Sequence, residues 1–214
     1  MTHWVMVIDL RKCIGCETCK QVCDGVNAVP PGATWRRLID RETEGENHKK
    51  ERVLLTMGCM HCSNPPCLKV CPTGASYRRV DGIVEINDEL CLGCGACVLA
   101  CPYKARSIVF EDKISPHNRC EALDMNSSET DRIGICTKCD FCRQRLENGL
   151  KKGLRPGLDA EATPVCVNYC IAEAISFGDL DDPESPVYMQ IKENRTVRLQ
   201  EELCTEPSVY YIPK

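Results

Sequence analysis

The residues of this chain best suited to chemistry are thiols. Cysteine accounts for 19 of 214 residues, and most stand in four tight groups. The first is Cys13, Cys16, Cys19 and Cys23, spaced C-x2-C-x2-C-x3-C. The second is Cys59, Cys62, Cys67 and Cys71, followed by Pro72. The third is Cys91, Cys94, Cys97 and Cys101, followed by Pro102. The fourth is split: Cys136, Cys139 and Cys142 in "CTKCDFC", then Cys166 and Cys170 further on. Thiolate is a soft ligand that selects zinc, cuprous copper or iron–sulfur clusters. A structural zinc site draws two ligands from each of two C-x2-C knuckles. A triplet instead wraps three thiolates around one many-cornered object, and the cysteine three residues on points toward a neighbour.

That run, closed by proline, is the pattern of a bacterial two-cluster ferredoxin, in which the fourth cysteine serves the other cluster. The count agrees: four [4Fe–4S] clusters need sixteen thiols and leave three spare. Cys120 and Cys204 stand isolated and read as buried small hydrophobes. The third spare comes from Cys136, Cys139 and Cys142. A disulfide scaffold fits poorly, because the count is odd and the cysteines group locally rather than stapling distant segments. The start "MTHWVMVIDLRKC" also lacks the basic region and long apolar run of a secretory leader.

Elements must hold these groups. "VMVIDL" (5–10) and "RVLLTM" (52–57) read as strands leading into the first two groups. "RRVDGIVEI" (78–86) reads as a hairpin around Asp81-Gly82. "RSIVFE" (106–111) reads as a strand, and "PPCLKVC", "GACVLAC" and "PVCVNYC" as short helices carrying the last cysteines. Ala75, Ala105 and Ala174 each lie four residues after a group's last cysteine, where a small residue suits close helix packing. Residues 24–50, 112–134 and 148–164 read as loops, and "VYMQI" and "TVRL" in the tail as strand-like. The expected fold class is α+β: duplicated ferredoxin-like units of short helices and β hairpins, with loop insertions and a C-terminal extension. The expected units are an outer half (1–50 and 112–176), a central half (51–111) and the extension (177–214), a partner contact.

The net charge of −4, with both signs interspersed, leaves no basic footprint for nucleic acid. The apolar runs are too short for a membrane span. No Gly-rich nucleotide fingerprint follows a strand, and no catalytic constellation is visible. His61, between Cys59 and Cys62, reads first as a local loop cap and second as a hydrogen-bond donor to a cluster. Lys12, Lys20, Lys138, Arg143 and Arg145 stand near the outer groups, where positive charge raises cluster potentials; as solvated surface charges they need no such role.

From about Val5 to Ser176 the sequence resembles the four-cluster iron–sulfur electron-transfer subunits of the dimethyl sulfoxide reductase superfamily of molybdenum and tungsten enzymes. These include the subunits of polysulfide, thiosulfate and tetrathionate reductases and of sulfite dehydrogenase. The resemblance rests on "NAVPPGATWRRL", "HCSNPPCLKVCPTGA", "CLGCGACVLACPYKAR", "KCDFCRQRLENG" and "PVCVNYC". It implies one cluster on Cys13, Cys16, Cys19 and Cys170, and a second on Cys23, Cys139, Cys142 and Cys166. It further implies a third on Cys59, Cys62, Cys67 and Cys101, and a fourth on Cys71, Cys91, Cys94 and Cys97. Cys136 becomes the spare, with its use as a ligand the alternative. Ile171 stands where the pattern has proline, and the stretch Lys151–Thr163 reads as an insertion.

The resemblance also implies an electron relay that lies between two partners: a large subunit carrying a molybdenum or tungsten pterin, and an integral membrane anchor reacting with quinone. It favours a peripheral membrane complex on the cytoplasmic face, with periplasmic placement by co-export with a signal-bearing partner as the alternative. The competing readings are a freestanding diffusible polyferredoxin and a cysteine-rich zinc protein.

Overall fold

A computed structural model of the chain describes residues 2–44, 50–110 and 132–214. Cys120 and most of the expected 112–134 loop lie outside the described residues. The architecture is α+β, with small sheets and short helices.

The first strand, β1 (Trp4–Asp9), is buried along its whole length. It pairs antiparallel with β8 (Ile175–Asp179) and parallel with β9 (Val209–Ile212), so it is the centre of a three-stranded sheet. Alternate side chains leave a strand on opposite faces. Trp4, Met6 and Ile8 enter the main core with Phe177 and Tyr211. Val5 and Val7 pack on the other side with Val187 and Ile212.

That second face explains a departure from the sequence reading. "VYMQI" is not a strand but part of α6 (Pro186–Glu193). Pro186 suits the first turn of a helix, and Val187 and Ile191, four residues apart, supply the apolar stripe that covers Val5 and Val7. Of "TVRL", only Val197 bridges to a strand, opposite Tyr211. The tail is an interior component: Tyr211 is fully buried and its hydroxyl donates to the Thr56 carbonyl at 3.1 Å.

A second departure lies in residues 24–50. Arg37–Glu44 forms β2, paired antiparallel with β3 (Lys50–Met57). The strand reads as a loop because it is polar. Ladder hydrogen bonds hold it, together with exposed pairs such as Arg52–Asp40 and Lys50–Glu42. Its base is apolar, and Leu38 and Leu54 lie over Gly15 of the first cysteine group.

The hairpin expected around Asp81-Gly82 is β4 (Ser76–Arg78) with β5 (Val84–Ile86). Of the expected strand 106–111, the described residues form β6 (Ser107–Ile108), paired with β7 (Cys136–Thr137), and residue 111 lies outside them. Two helices were not legible: α1 (Thr18–Val26) and α4 (Arg143–Lys151). The expected loop at 148–164 begins as the end of α4 and then folds back onto it. Arg145 donates to the Thr163 and Ala160 carbonyls, and Ala162 is buried. The three short helices are α2 (Pro66–Lys69), α3 (Ala96–Ala100) and α5 (Val165–Asn168).

Candidate metal centres

Helix α1 carries both Cys19 and Cys23. Four residues of helix advance about 6 Å along the axis, so one helix delivers thiols to two adjacent places. Cys166 on α5 and Cys170 just beyond it do the same, and α5 packs on α1. As a result Cys13, Cys16, Cys19 and Cys170 line one cavity. Cys23, Cys139, Cys142 and Cys166 lie together beside it. Helices α2 and α3 pack in the same reciprocal way. They bring Cys59, Cys62, Cys67 and Cys101 together, and Cys71, Cys91, Cys94 and Cys97 around another cavity. These are the first to fourth thiol sets.

Exposure differs along the series. Cys16 of the first set and Cys94 of the fourth are exposed, whereas all four thiols of the second set are buried. In the third set Cys62 and Cys67 are buried and Cys59 and Cys101 half-buried. At the surface of the first set stand Ile14 and Ile171, 61% and 69% exposed. At the fourth stand Leu92 and Leu99, 73% and 90% exposed.

Backbone amides point at the sulfurs. Ala105 N–H donates to Cys101 Sγ at 3.5 Å, Ala174 N–H to Cys170 Sγ at 3.2 Å, and Ser76 N–H to Cys71 Sγ at 3.5 Å. The recurrent alanines therefore sit in turns, not helices, where the chain doubles back on its own cysteine. Asn27 Nδ2 adds donors to Cys23 Sγ at 3.4 Å and Cys142 Sγ at 3.8 Å.

Two cations that sequence reading missed lie among the thiols. Arg36, 3% exposed, donates to Cys166 Sγ at 3.3 Å and Met6 Sδ at 2.8 Å, with Cys19 and Cys139 also in its field. Arg106, 4% exposed, donates to Cys67 Sγ at 3.1 Å, to Ser76 Oγ at 2.8 Å, and at 3.8 Å to Cys136 Sγ. Burial pulls both guanidinium pKa values down, but the surrounding sulfurs more than offset it and hold both above the ordinary value. Among the described residues, neither is paired with a carboxylate. A buried cation without an anion is costly, so each position requires negative charge on the sulfurs.

The cations singled out in the sequence have other partners. Lys20 pairs with Asp24 and Arg143 with Glu85. Arg145 holds the Thr163 loop, and Lys12 is exposed. Lys138 is buried and donates to the Val84 and Cys139 carbonyls. His61 does not cap its own loop. It is fully buried, its Nδ1 accepts from Val84 N–H at 3.1 Å, and its ring stacks on Phe141 at 3.7 Å. His61 adjoins Cys62 and Phe141 adjoins Cys142, so this stack joins the third set to the second.

Burial pushes the Cys62 and Cys142 thiols up to about 12, with neighbouring sulfurs adding to the shift, and the Cys23 and Cys139 thiols upward as well. Thiolates can form there only when a bound cation compensates them. The buried arginines face sulfur in place of a carboxylate, and the buried thiols resist ionisation unless a cation compensates them. An iron–sulfur group with four thiolates, cationic in its core and anionic as a whole, satisfies both. Among the described residues, no three His, Cys, Asp or Glu side chains converge as a single metal ion requires.

The remaining cysteines separate. Cys204 is exposed, contrary to its expected burial, in a left-handed turn at φ 51°. Cys136 is buried, and it stands with the fourth set rather than beside Cys139 and Cys142. Its Sγ lies 3.5 Å from Cys97 Sγ, and its N–H donates to Cys91 Sγ at 3.4 Å.

Paired, helix-borne thiol sets of this kind define a ferredoxin-like iron–sulfur protein. Residues 12–75 and 50–125 each match the 4Fe-4S dicluster domain family. The chain is 38% identical to a selenate reductase subunit of Mesobacillus selenatarsenatis, covering 98% of this chain and 72% of that protein. It is 39% identical to a putative dimethyl sulfoxide reductase iron-sulfur subunit of Halobacterium salinarum, covering 99% and 79%. With a tetrathionate reductase subunit of Salmonella typhimurium it shares 35% identity, covering 98% and 72%. The chain belongs to the iron–sulfur electron-transfer subunits of the dimethyl sulfoxide reductase family. Among the described residues, no helix is long and apolar enough to cross a membrane.

Proposed function

We propose that the chain binds four [4Fe–4S] clusters, one on each thiol set, and passes single electrons along them between two partner proteins. The ligands are Cys13, Cys16, Cys19 and Cys170; Cys23, Cys139, Cys142 and Cys166; Cys59, Cys62, Cys67 and Cys101; and Cys71, Cys91, Cys94 and Cys97. When bound, each cluster supplies a one-electron centre whose potential the protein tunes within roughly −700 to +450 mV.

The observation that carries this reading is the order of exposure. The first and fourth sets each carry an exposed thiol among exposed aliphatic side chains, while the second set is wholly buried and the third has no exposed thiol. A conductor with two ends needs that arrangement, and a protein serving one contact does not. The chain's own residues bury the second set completely, aim amides at sulfur, and place Arg36 and Arg106 where added negative charge is stabilised. The two pairs of sets have the same helix-exchange geometry, which supports descent from a duplicated ferredoxin unit. The domain division follows it: an outer half (1–50 and 112–176), a central half (51–111), and a C-terminal segment (177–214) that both completes the sheet and contacts a partner.

The relatives are named as subunits of selenate, dimethyl sulfoxide and tetrathionate reductases. On that basis one end docks a large catalytic subunit with a molybdenum or tungsten pterin, and the other a quinone-reactive membrane anchor. The complex is then peripheral on the membrane, on the cytoplasmic face by preference.

Anaerobic purification from native membranes tests this directly, with subunit identification and iron, molybdenum and tungsten analysis. The expected result is roughly sixteen irons per chain, a co-purifying large metal-bearing subunit and an integral membrane chain. A brown protein arriving alone would instead mark a diffusible polyferredoxin, and a colourless one containing zinc would end the iron–sulfur reading.

A further inference from the structure

The fourth site has a fifth cysteine. Cys136 is 3% exposed on β7, held by its pairing with Ile108 of β6. It touches the fourth set twice, through its N–H to Cys91 Sγ at 3.4 Å and through its thiol to Cys97 Sγ at 3.5 Å. On its other side stands Arg106, whose Nη1 lies 3.8 Å from Cys136 Sγ while its Nη2 donates to Cys67 Sγ at 3.1 Å. Cys136 lines the same cavity as Cys71, Cys91, Cys94 and Cys97; on the four-cluster reading those four are the ligands and Cys136 is the extra thiol beside them.

We propose that Cys136 is a positioning residue of the fourth site: it keeps its proton and donates it as an S–H···S hydrogen bond to the Cys97 thiolate, raising that cluster's reduction potential. The inference rests on the four-cluster reading. Its direction follows from valence. An iron-bound thiolate has no proton to give, so the donor of the pair must be Cys136. Arg106 favours the same polarity, since a guanidinium beside Cys136 Sγ meets the sulfur's lone pairs and leaves its hydrogen facing Cys97. A donor to a ligand sulfur stabilises the reduced, more negative state of the cluster. Through Arg106 the contact continues to Cys67, so a hydrogen-bonded line runs from the fourth set to the third without passing through iron.

The test uses the full chain with its co-purified partners, kept anaerobic, in wild-type, C136A and C136S forms. The readouts are iron content and redox titration followed by electron paramagnetic resonance. The expected result is unchanged iron in both variants, with one cluster's midpoint potential lowered in C136A and the other clusters unshifted. C136S retains a hydroxyl donor and holds that potential above the C136A value. Unchanged potentials in C136A, or equal values for C136A and C136S, would overturn the hydrogen bond. Loss of about four irons in C136A would overturn it differently, by making Cys136 a ligand. Wild-type protein with fewer than about sixteen irons would remove the four-cluster reading beneath it.

Discussion

Residue by residue, the sulfurs and their donors divide the labour. The cysteine groups were legible because their pattern is local: a triplet and a following cysteine span eleven positions and need no tertiary knowledge. The arginines that face them were not, since Arg36 meets Cys166 across a separation of 130 residues. Replacing Arg36 with Gln keeps a donor but removes the charge, and is expected to lower the potentials of the two outer clusters together. The shift should be on the order of 60 mV, a tenfold change for a one-electron couple, read by redox titration. Cysteine variants separate the ligands from the spares. C94S is expected to lose a cluster. C204S should leave iron content and spectra unaltered, because Cys204 is exposed and its thiol donates to the Glu202 carbonyl at 3.8 Å. Intact spectra in C94S, or a missing cluster in C204S, would refute the assignment.

Elements explain why some of the fold was readable and some was not. A strand such as β1, apolar throughout, announces itself. The ribbon strand β2 does not, because a polar ladder in water has the composition of a loop. The helix α6 misleads in the other direction. Its β-branched and aromatic residues suit a strand, and the need to cover Val5 and Val7 overrides that preference. The tie between elements is sharpest at Gly93, in the loop of the third cysteine group. Its φ is +65°, and a β-carbon there would run into the Gly134 carbonyl oxygen on the approach to β7. G93A is therefore expected to destabilise by about 1–3 kcal/mol from backbone strain alone. It should also displace β7, and Cys136 with it, from the fourth site. Thermal unfolding would measure the first effect, and a change confined to one cluster's resonance the second.

Across the whole molecule, cofactor and fold share one electrostatic problem. Arg36 and Arg106 sit in the interior facing sulfur, and removing one partner of a buried ion pair costs about 3–5 kcal/mol. Two such losses approach the entire range of roughly 5–15 kcal/mol that holds a typical domain together. Stripping iron by anaerobic chelation with an oxidant is accordingly expected to abolish cooperative unfolding, not merely to bleach the protein. Calorimetry and protease sensitivity would report it. A bleached protein that still melts cooperatively near its original temperature would mean that the arginines find other anions.

The reciprocal exchange of thiols between helices also sets a timetable. The two central sets draw only on residues between Cys59 and Cys101, whereas the two outer sets join Cys13–Cys23 to Cys139–Cys170. The central strand of the main sheet likewise waits for β9 at the far end of the chain. A polypeptide emerging from the ribosome can thus close its middle while its beginning is still incomplete. On the proposed ligand assignment, the first cysteines to be made are among the last whose sites are completed, and until then they are bare thiols open to oxidation.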